Sequence, residues 1–480
     1  MPGPVVPGYF FGLKHTMDVT RYVVFVAMVI SMRMVAIHGI EKAFLKVWIP
    51  FFLLMPFMFW VNVPGLPDPN FMQAAIFPIL FVLLRDQLAR MRFGRMEFLL
   101  LLYVLVRVGA DFFSRGYADA QNYAFYMLSC LIGPYLIGSY LITSKRMDIA
   151  TARMFVLVFL LMFPMFLYEA KFWVSPVYKI FSPLFPNAFS GLSIRWGIAR
   201  TAGTFEHPIL ACIMIVVVYR LHRWLAWQGV WAQPQEGWLG MIQKMAARLP
   251  FAFSHQISIV LILMALMTIS RGPWIGGLAG AVLVFVGNTK NRKAWLAIVV
   301  VGFLVGGVLG QVLLDAYITP KEGEVLSGEA QTMLYRKVMI EQYQSFLMEK
   351  FWTGWGLTTV PTIQGMESID NAFFLMALQH GVLAPALFVI IFLYAIVSQI
   401  KFGLAAAPGT SPIGFTFSGI YLMCFLAFAS VYMGAQTEPM LFLLLGWGEG
   451  IKNRKALDDV LPGEPTGPTP PTHPFRRVMY

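Results

Sequence analysis

Apolar runs recur along the chain with short polar links between them, and a helix needs about 20 such residues to cross a bilayer. The runs fall at 46–63, 71–84, 98–110, 122–143, 154–168, 207–219, 252–269, 273–288, 295–313, 371–399, 414–433 and 438–450. They predict an all-α fold, a polytopic transmembrane helical bundle of about 12 spans. A thirteenth candidate, 20–38, is interrupted by Arg33 and reads as an interfacial or partly inserted helix. Trp224, Trp227, Trp231 and Trp238, among glycines and basic residues, suit a segment lying at the headgroups. The tail from Ala456 is rich in proline (Pro462, Pro465, Pro468, Pro470, Pro471, Pro474) and is expected to be disordered.

The chain therefore divides into a cytoplasmic or interfacial segment 1–45, spans over 46–168, an outer loop 169–206 and central spans over 207–313. A large outer loop 314–370, spans over 371–450 and a cytoplasmic tail 451–480 follow. Composition agrees: of 480 residues, 58% are hydrophobic and only 12% charged, about half the charge of a soluble globule. A mean hydropathy of +0.68 means that the missing polar surface faces lipid. Cys130, Cys212 and Cys424 lie far apart in apolar runs, which favours neither disulfides nor a cysteine metal site. Residues 1–20 lack the basic start, apolar stretch and small-residue cleavage site of a signal peptide.

The net charge of +12 is distributed by position. Arg85, Arg90, Arg92 and Arg95 follow the second run, Lys145, Arg146 and Arg153 the fourth, and Arg220, Arg223, Lys244 and Arg248 the sixth. Lys290, Arg292 and Lys293 follow the eighth, Lys401 the tenth, and Lys452, Arg454 and Lys455 the last. Every second link is thus basic and is assigned to the cytoplasm, with both termini inside. The outer loop 169–206 departs from this rule, holding Lys171, Lys179, Arg195 and Arg200 against Glu169 and Glu206. The outer loop 314–370 is acidic overall, with Lys321, Arg336, Lys337 and Lys350 outnumbered by carboxylates that include Glu322 and Glu324. Within it Met339, Tyr343, Leu347 and Phe351 recur every four residues, predicting a helix on the outer face with Arg336 turned toward the protein.

Four groups could carry chemistry. The run Arg200–Pro208 turns into the sixth span, so free backbone N–H groups beside Arg200 could hold an anion; a capped helix start with a snorkelling arginine is the plainer alternative. Ser270-Arg271-Gly272-Pro273 is a tight outer turn, with Ser270 placed to cap, Pro273 in the first helical turn, and Gly276 and Gly280 on a small packing face. An arginine fixed there suits a diphosphate better than a topology anchor, because it has the wrong sign for the outside. Asp370-Asn371 enters the tenth span, where Asp370 could act as general base toward a hydroxyl or as a helix N-cap. His380, about 15 Å further along by helical rise, reads as a packing histidine, and Arg107, Asp111 and Arg115 at four-residue spacing as a paired ladder. The charge pattern sends Arg200, Arg271, Arg336 and Asp370 to the same outer surface, which suits group transfer from a lipid-linked diphosphate to a hydroxyl. A transporter would instead keep its ionisable groups near the midplane.

At RTAGTFEHP (200–208), SRGPWIGGLAG (270–280), YRKVMIEQYQSFLMEKFWTGWG (335–356) and DNAFFLMALQHG (370–381) the chain resembles the O-antigen ligase and polymerase-like family of bacterial membrane glycosyltransferases. The resemblance covers about 195–400, in the family's order. It implies a multi-pass protein of the bacterial inner membrane that needs no metal or other cofactor. The reaction it implies is glycan transfer at the periplasmic face from an undecaprenyl-diphosphate-linked oligosaccharide donor to a glycan or lipid acceptor. Carried over, Arg200 and Arg271 hold the donor diphosphate, with Arg195, His207 and Asn371 beside the substrate, and Arg336 is the loop arginine. The ligases usually place a histidine where this chain has Asp370, and often an asparagine where it has His207, so the histidine-as-base role does not transfer. The aspartate variant looks more like polymerases of exopolysaccharide or O-antigen repeat units. A polymerase is thus the first expectation, a ligase acting on lipid or protein acceptors the second, and a lipid-linked oligosaccharide permease or flippase the reading from another class.

Overall fold

The computed structural model describes residues 19–63, 67–186, 188, 193–235, 237–318, 328–366, 368–407 and 412–460. The tail expected to be disordered from Ala456 is helical as far as Val460, the end of the helix Thr437–Val460; its prolines, like Lys321, Glu322 and Glu324, lie outside the described residues. Helices dominate, as expected where no water can satisfy exposed backbone groups. Six are long and apolar enough to cross a membrane among the described residues: Thr20–His38, Tyr117–Ile142, Asp148–Phe172, Pro208–Trp227, Arg292–Gly310 and Leu383–Leu404. Phe253–Met267 and Ile413–Phe428 are apolar but shorter.

The interfacial expectation for 20–38 is not what its length and composition give, since Thr20–His38 is one of these six. Its Arg33 is exposed near one end, where a long side chain can snorkel. Gly39, at φ +84°, breaks the chain before a second helical run over 40–54. That run leaves the helix at Met55, so 46–63 is not one helical run. Expected span 371–399 is likewise two helices, Ala372–His380 and Leu383–Leu404, divided at Gly381 with φ +75°. A Cβ on Gly381 would sit 2.1 Å from the Trp352 carbonyl oxygen, so only glycine admits this crossing. His380 consequently precedes the 22-residue helix instead of lying deep within a span.

Small residues bring the helices together. A Cβ on Gly280 would lie 2.3 Å from the Gly419 carbonyl oxygen, and one on Gly419 2.6 Å from that of Gly280. Arg271–Asn288 thus packs backbone to backbone on Ile413–Phe428, through the face holding Gly276 and Gly280. Thr437–Val460 packs in the same manner on the 117–142 run, where a Cβ on Gly446 would meet the Tyr135 carbonyl oxygen at 2.0 Å. The all-helical expectation has one exception. Ser193–Arg195 and Ile198–Arg200 pair antiparallel across Trp196-Gly197, both at positive φ, the geometry of a two-residue hairpin turn.

Candidate functional site

The hairpin lays its arginines on the turn between Phe253–Met267 and Arg271–Asn288. Arg200 donates from Nε to the Thr268 carbonyl oxygen at 2.9 Å, from Nη2 to Ser270 Oγ at 2.9 Å and from Nη1 to Ser193 Oγ at 3.2 Å. Arg195 Nη1 donates to the Ile269 carbonyl oxygen at 3.2 Å. Ile269 has φ +47°, a strained conformation for a β-branched residue, and the two arginines clasp the carbonyl groups on either side of that strain. The Arg271 guanidinium stands 5.6 Å from the ring centroid of Trp196 at the hairpin tip. Ser270 is the helix N-cap residue, but its hydroxyl makes no capping bond, because it accepts from Arg200 and donates to the Thr268 carbonyl oxygen.

The loop after Ile413–Phe428 completes the junction. A Cβ on Gly272 would come within 2.9 Å of Ser430 Oγ, and Arg336 Nη2 donates to the Ser430 carbonyl oxygen at 3.1 Å. Arg336 comes from the helix Gly328–Glu349, which buries Met339 and Tyr343 in a small second core with Ile369 and Leu378. Its Nε is buried without a hydrogen-bond partner among the described residues. The Ala372 N–H donates to the Val431 carbonyl oxygen at 3.1 Å and brings Asp370 and Asn371 to the same loop. Asn371, not Asp370, is the N-cap: its Oδ1 accepts the Phe374 N–H at 3.0 Å. Asp370 is thereby released from capping, with Oδ1 accepting from Ser368 Oγ at 2.7 Å.

In the anion site expected over Arg200–Pro208, the N–H groups of Ala202 and Gly203 are already taken from within the chain. Glu169, 33 and 34 residues away, accepts the Ala202 N–H on Oε1 at 3.0 Å and the Gly203 N–H on Oε2 at 2.7 Å. His207 caps Pro208–Trp227 through Nδ1, which accepts the Ile209 N–H at 3.2 Å and so leaves the ring proton on Nε2. Burial and then the Arg200 charge push His207 down to about 4, against the opposing pull of Asp370. It is a neutral ring at pH 7. Burial, and then Arg195, lowers Arg200 to about 10, so it remains charged.

Two residues escaped the sequence reading. Glu206 has no hydrogen-bond partner among the described residues, and burial raises its carboxyl to about 7. Tyr432, whose ring centroid lies 6.4 Å from that of His207, has its phenol raised by burial and then by the Glu206, Tyr178 and Asp370 charges. Its only signal in the sequence is Ser430 followed by Gly434, Gln436 and Thr437, which overlaps the end of the apolar run at 414–433. Arg107, Asp111 and Arg115 do not form the expected ladder: they reach Glu438, the Leu357 N–H and Asp119 respectively. His380 is fully buried, with Nε2 3.2 Å from the Tyr123 hydroxyl.

Five segments distant in sequence, 193–207, 268–272, Arg336, 368–372 and 430–432, thus meet in one arginine-rich junction with an uncapped aspartate. No curated protein matches the chain. The family model described as O-Antigen ligase matches residues 256–389, which include Arg271, Arg336, Asp370 and Asn371 but not Arg195, Arg200 or His207. Over residues 256–389 the chain is thus similar to the O-antigen ligase and polymerase-like family of membrane proteins.

Proposed function

We propose that this protein polymerises undecaprenyl-diphosphate-linked polysaccharide repeat units at the periplasmic face of the bacterial inner membrane. The observation that carries the reading is the junction of Arg200, Arg271 and Arg336 beside an Asp370 freed from capping. Arg271 and the buried, unpartnered Nε of Arg336 bind and neutralise the donor diphosphate, while Arg200 and Arg195 hold the 268–270 turn that presents Arg271. The acceptor hydroxyl attacks the anomeric carbon of the donor sugar, the bond from that carbon to the diphosphate oxygen breaks, and undecaprenyl diphosphate leaves. Asp370 Oδ2 takes the hydroxyl proton, with the neutral His207 ring alongside. No metal is required in this scheme, since the guanidinium groups offset the charge that a cation would otherwise neutralise.

Replacing Arg271 or Arg336 by alanine, with the protein still inserted, is expected to abolish polymer growth, and full-length polymer in either variant overturns the reading. Asp370→Asn is expected to keep donor binding and lose turnover. The description of the matched family favours a second reading, a ligase that moves finished glycan to a lipid or protein acceptor. The lipid-linked pool of a deletion strain separates the two: single repeat units accumulate without a polymerase, long undecaprenyl-linked chains without a ligase.

A further inference from the structure

The helix Gly328–Glu349 does more than carry Arg336. Tyr335, Met339 and Tyr343 recur every four residues on one of its faces. That face packs against Ile363, Met366 and Ile369, in a stretch that is neither helix nor strand and leads into Asp370. Two tyrosine hydroxyls hold the stretch. Tyr343 Oη donates to the Met366 carbonyl oxygen at 3.0 Å and accepts the Ile363 N–H at 3.2 Å. Two turns earlier, about 12 Å along the helix, Tyr335 Oη donates to the Ser368 carbonyl oxygen at 2.8 Å. Ser368 Oγ in turn donates to Asp370 Oδ1 at 2.7 Å.

Each end of this chain of bonds stands at the arginine junction. Tyr335 directly precedes Arg336, and successive side chains leave a helix about 100° apart. Tyr335 therefore reaches Ser368 while Arg336 reaches the Ser430 carbonyl oxygen, at 3.1 Å. At the other end the backbone of Asp370 is fixed on both sides, by Ile369 in the small core and by Asn371 as helix N-cap. Its side chain has a single tether. Oδ1 accepts from Ser368, and Oδ2 accepts no hydrogen bond among the described residues. Without that tether the carboxylate turns about χ1 and χ2 among several rotamers, and with it Oδ2 keeps one direction. The same bond serves before and after a proton reaches Oδ2, because Oδ1 then becomes the carbonyl oxygen of a neutral acid and still accepts from Ser368.

We infer that Tyr335 and Ser368 are positioning residues for Asp370: the Ser368 hydroxyl aims Oδ2 at the acceptor hydroxyl, and Tyr335 ties that serine to the helical turn that presents Arg336. The inference rests on the glycosyltransferase reading above and deepens it, since the base and one diphosphate arginine are then set in register by a single turn of one helix. Such positioning acts on the rate of the bound complex and leaves donor binding to the arginines.

The experiment follows turnover of lipid-linked repeat units, extracted from a deletion strain, by the full chain in lipid nanodiscs, and separately the binding of inorganic pyrophosphate. Ser368→Ala is expected to lower kcat by about tenfold, and Tyr335→Phe by about fivefold, each the size of one lost hydrogen bond. KM and pyrophosphate affinity should stay at the parent's values in both. Arg336→Ala shows the opposite pattern, with weakened pyrophosphate binding. Ser368→Thr keeps the hydroxyl and should recover most of kcat. Tyr343→Phe loses the bonds to Ile363 and Met366 but touches no group bonded to Asp370, so it should lower Tm and cost less kcat per folded molecule than Tyr335→Phe. Three results overturn the positioning role alone: a Ser368→Ala kcat equal to the parent's while Asp370→Asn is inactive, losses that appear in pyrophosphate affinity instead of kcat, or a Ser368→Thr as stable as the parent yet no faster than Ser368→Ala. A parent without turnover, or Asp370→Asn with full turnover, overturns the glycosyltransferase reading itself, so the two failures are told apart.

Discussion

Arg107 Nη1 lies 2.5 Å from Glu438 Oε1, an ion pair whose side chains are only 7% and 2% exposed. It joins Arg95–Arg115 to the first turn of Thr437–Val460, and both residues also hold tyrosines, Arg107 through Tyr103 and Glu438 through Tyr126. In so dry a place the pair is not a bonus of stability, because the cost of desolvating both charges nearly offsets their attraction. Removing one partner is another matter. Glu438→Gln strands the Arg107 charge and is expected to cost about 3–5 kcal/mol, read as a lowered Tm in detergent. Arg107→Met combined with Glu438→Leu should recover most of that loss; a double variant as unstable as Glu438→Gln would refute this account.

The glycine contact between Arg271–Asn288 and Ile413–Phe428 ties packing to the site. Gly280 and Gly419 meet backbone to backbone, with no space for a methyl group on either side. The first of these helices starts at Arg271, and the second leads into Ser430, which Arg336 contacts. Gly280→Ala must force the helices apart, at about 1–3 kcal/mol for overpacking, and it moves Arg271 relative to Ser430. Polymer yield at equal membrane abundance is expected to fall with Tm; an unchanged yield would detach the helix contact from the site. Gly302, with open space around it, serves as the control, and its replacement by alanine should leave both readouts as they were.

Glu206 gives the site a pH signature. Its ordinary value is 4.5 and its folded value about 7, so the folded protein binds this proton more tightly than the unfolded chain does. Stability from the buried neutral carboxyl is complete below pH 4.5 and is lost as pH rises through 7. Glu206→Gln stays neutral throughout. The Tm of the variant relative to the parent should therefore rise between pH 5 and pH 8, and a flat difference would show that Glu206 ionises as an exposed carboxyl does. His207 titrates in the opposite sense, losing stability as pH falls from 6.5 toward 4, and it cancels because it is common to both proteins.

Most of the helices could be read from the sequence because lipid admits few alternatives: an apolar run between basic links is a strong constraint. The convergence of Arg200, Arg271, Arg336 and Asp370 was readable for the same reason, since charge position alone sends all four to one surface. What escaped depends on contacts between distant segments. The break at Gly381 lies inside a run that stays apolar on both sides, and its cause is the Trp352 carbonyl group, 29 residues earlier. The turn at Ser430 was absorbed into a span because Val431, Tyr432 and Met433 are themselves apolar. For Asp370 the sequence leaves base and cap both open because both Asp and Asn cap well, and only the bond from the Phe374 N–H to Asn371 shows which residue caps.

Glu169 is the clearest case of a residue whose role no local pattern discloses. It sits in the last turns of Asp148–Phe172, yet both its oxygens hold the N–H groups of Ala202 and Gly203, directly after Arg200. Gly203 is at φ +66°, and a Cβ there would press within 2.6 Å of the Phe166 ring, so this turn is gripped by one face of the same helix. Glu169→Ala leaves two buried N–H groups without acceptors, at about 1–3 kcal/mol each. Glu169→Gln keeps one carbonyl oxygen and loses one of the two bonds. The graded expectation is a moderate loss of polymer yield in Glu169→Gln and a severe one in Glu169→Ala, with donor retention weakened in parallel because Arg200 no longer holds the 268–270 turn. Equal and full yield in both variants would show that the turn keeps its form without Glu169 and that Arg200 is positioned by the hairpin alone.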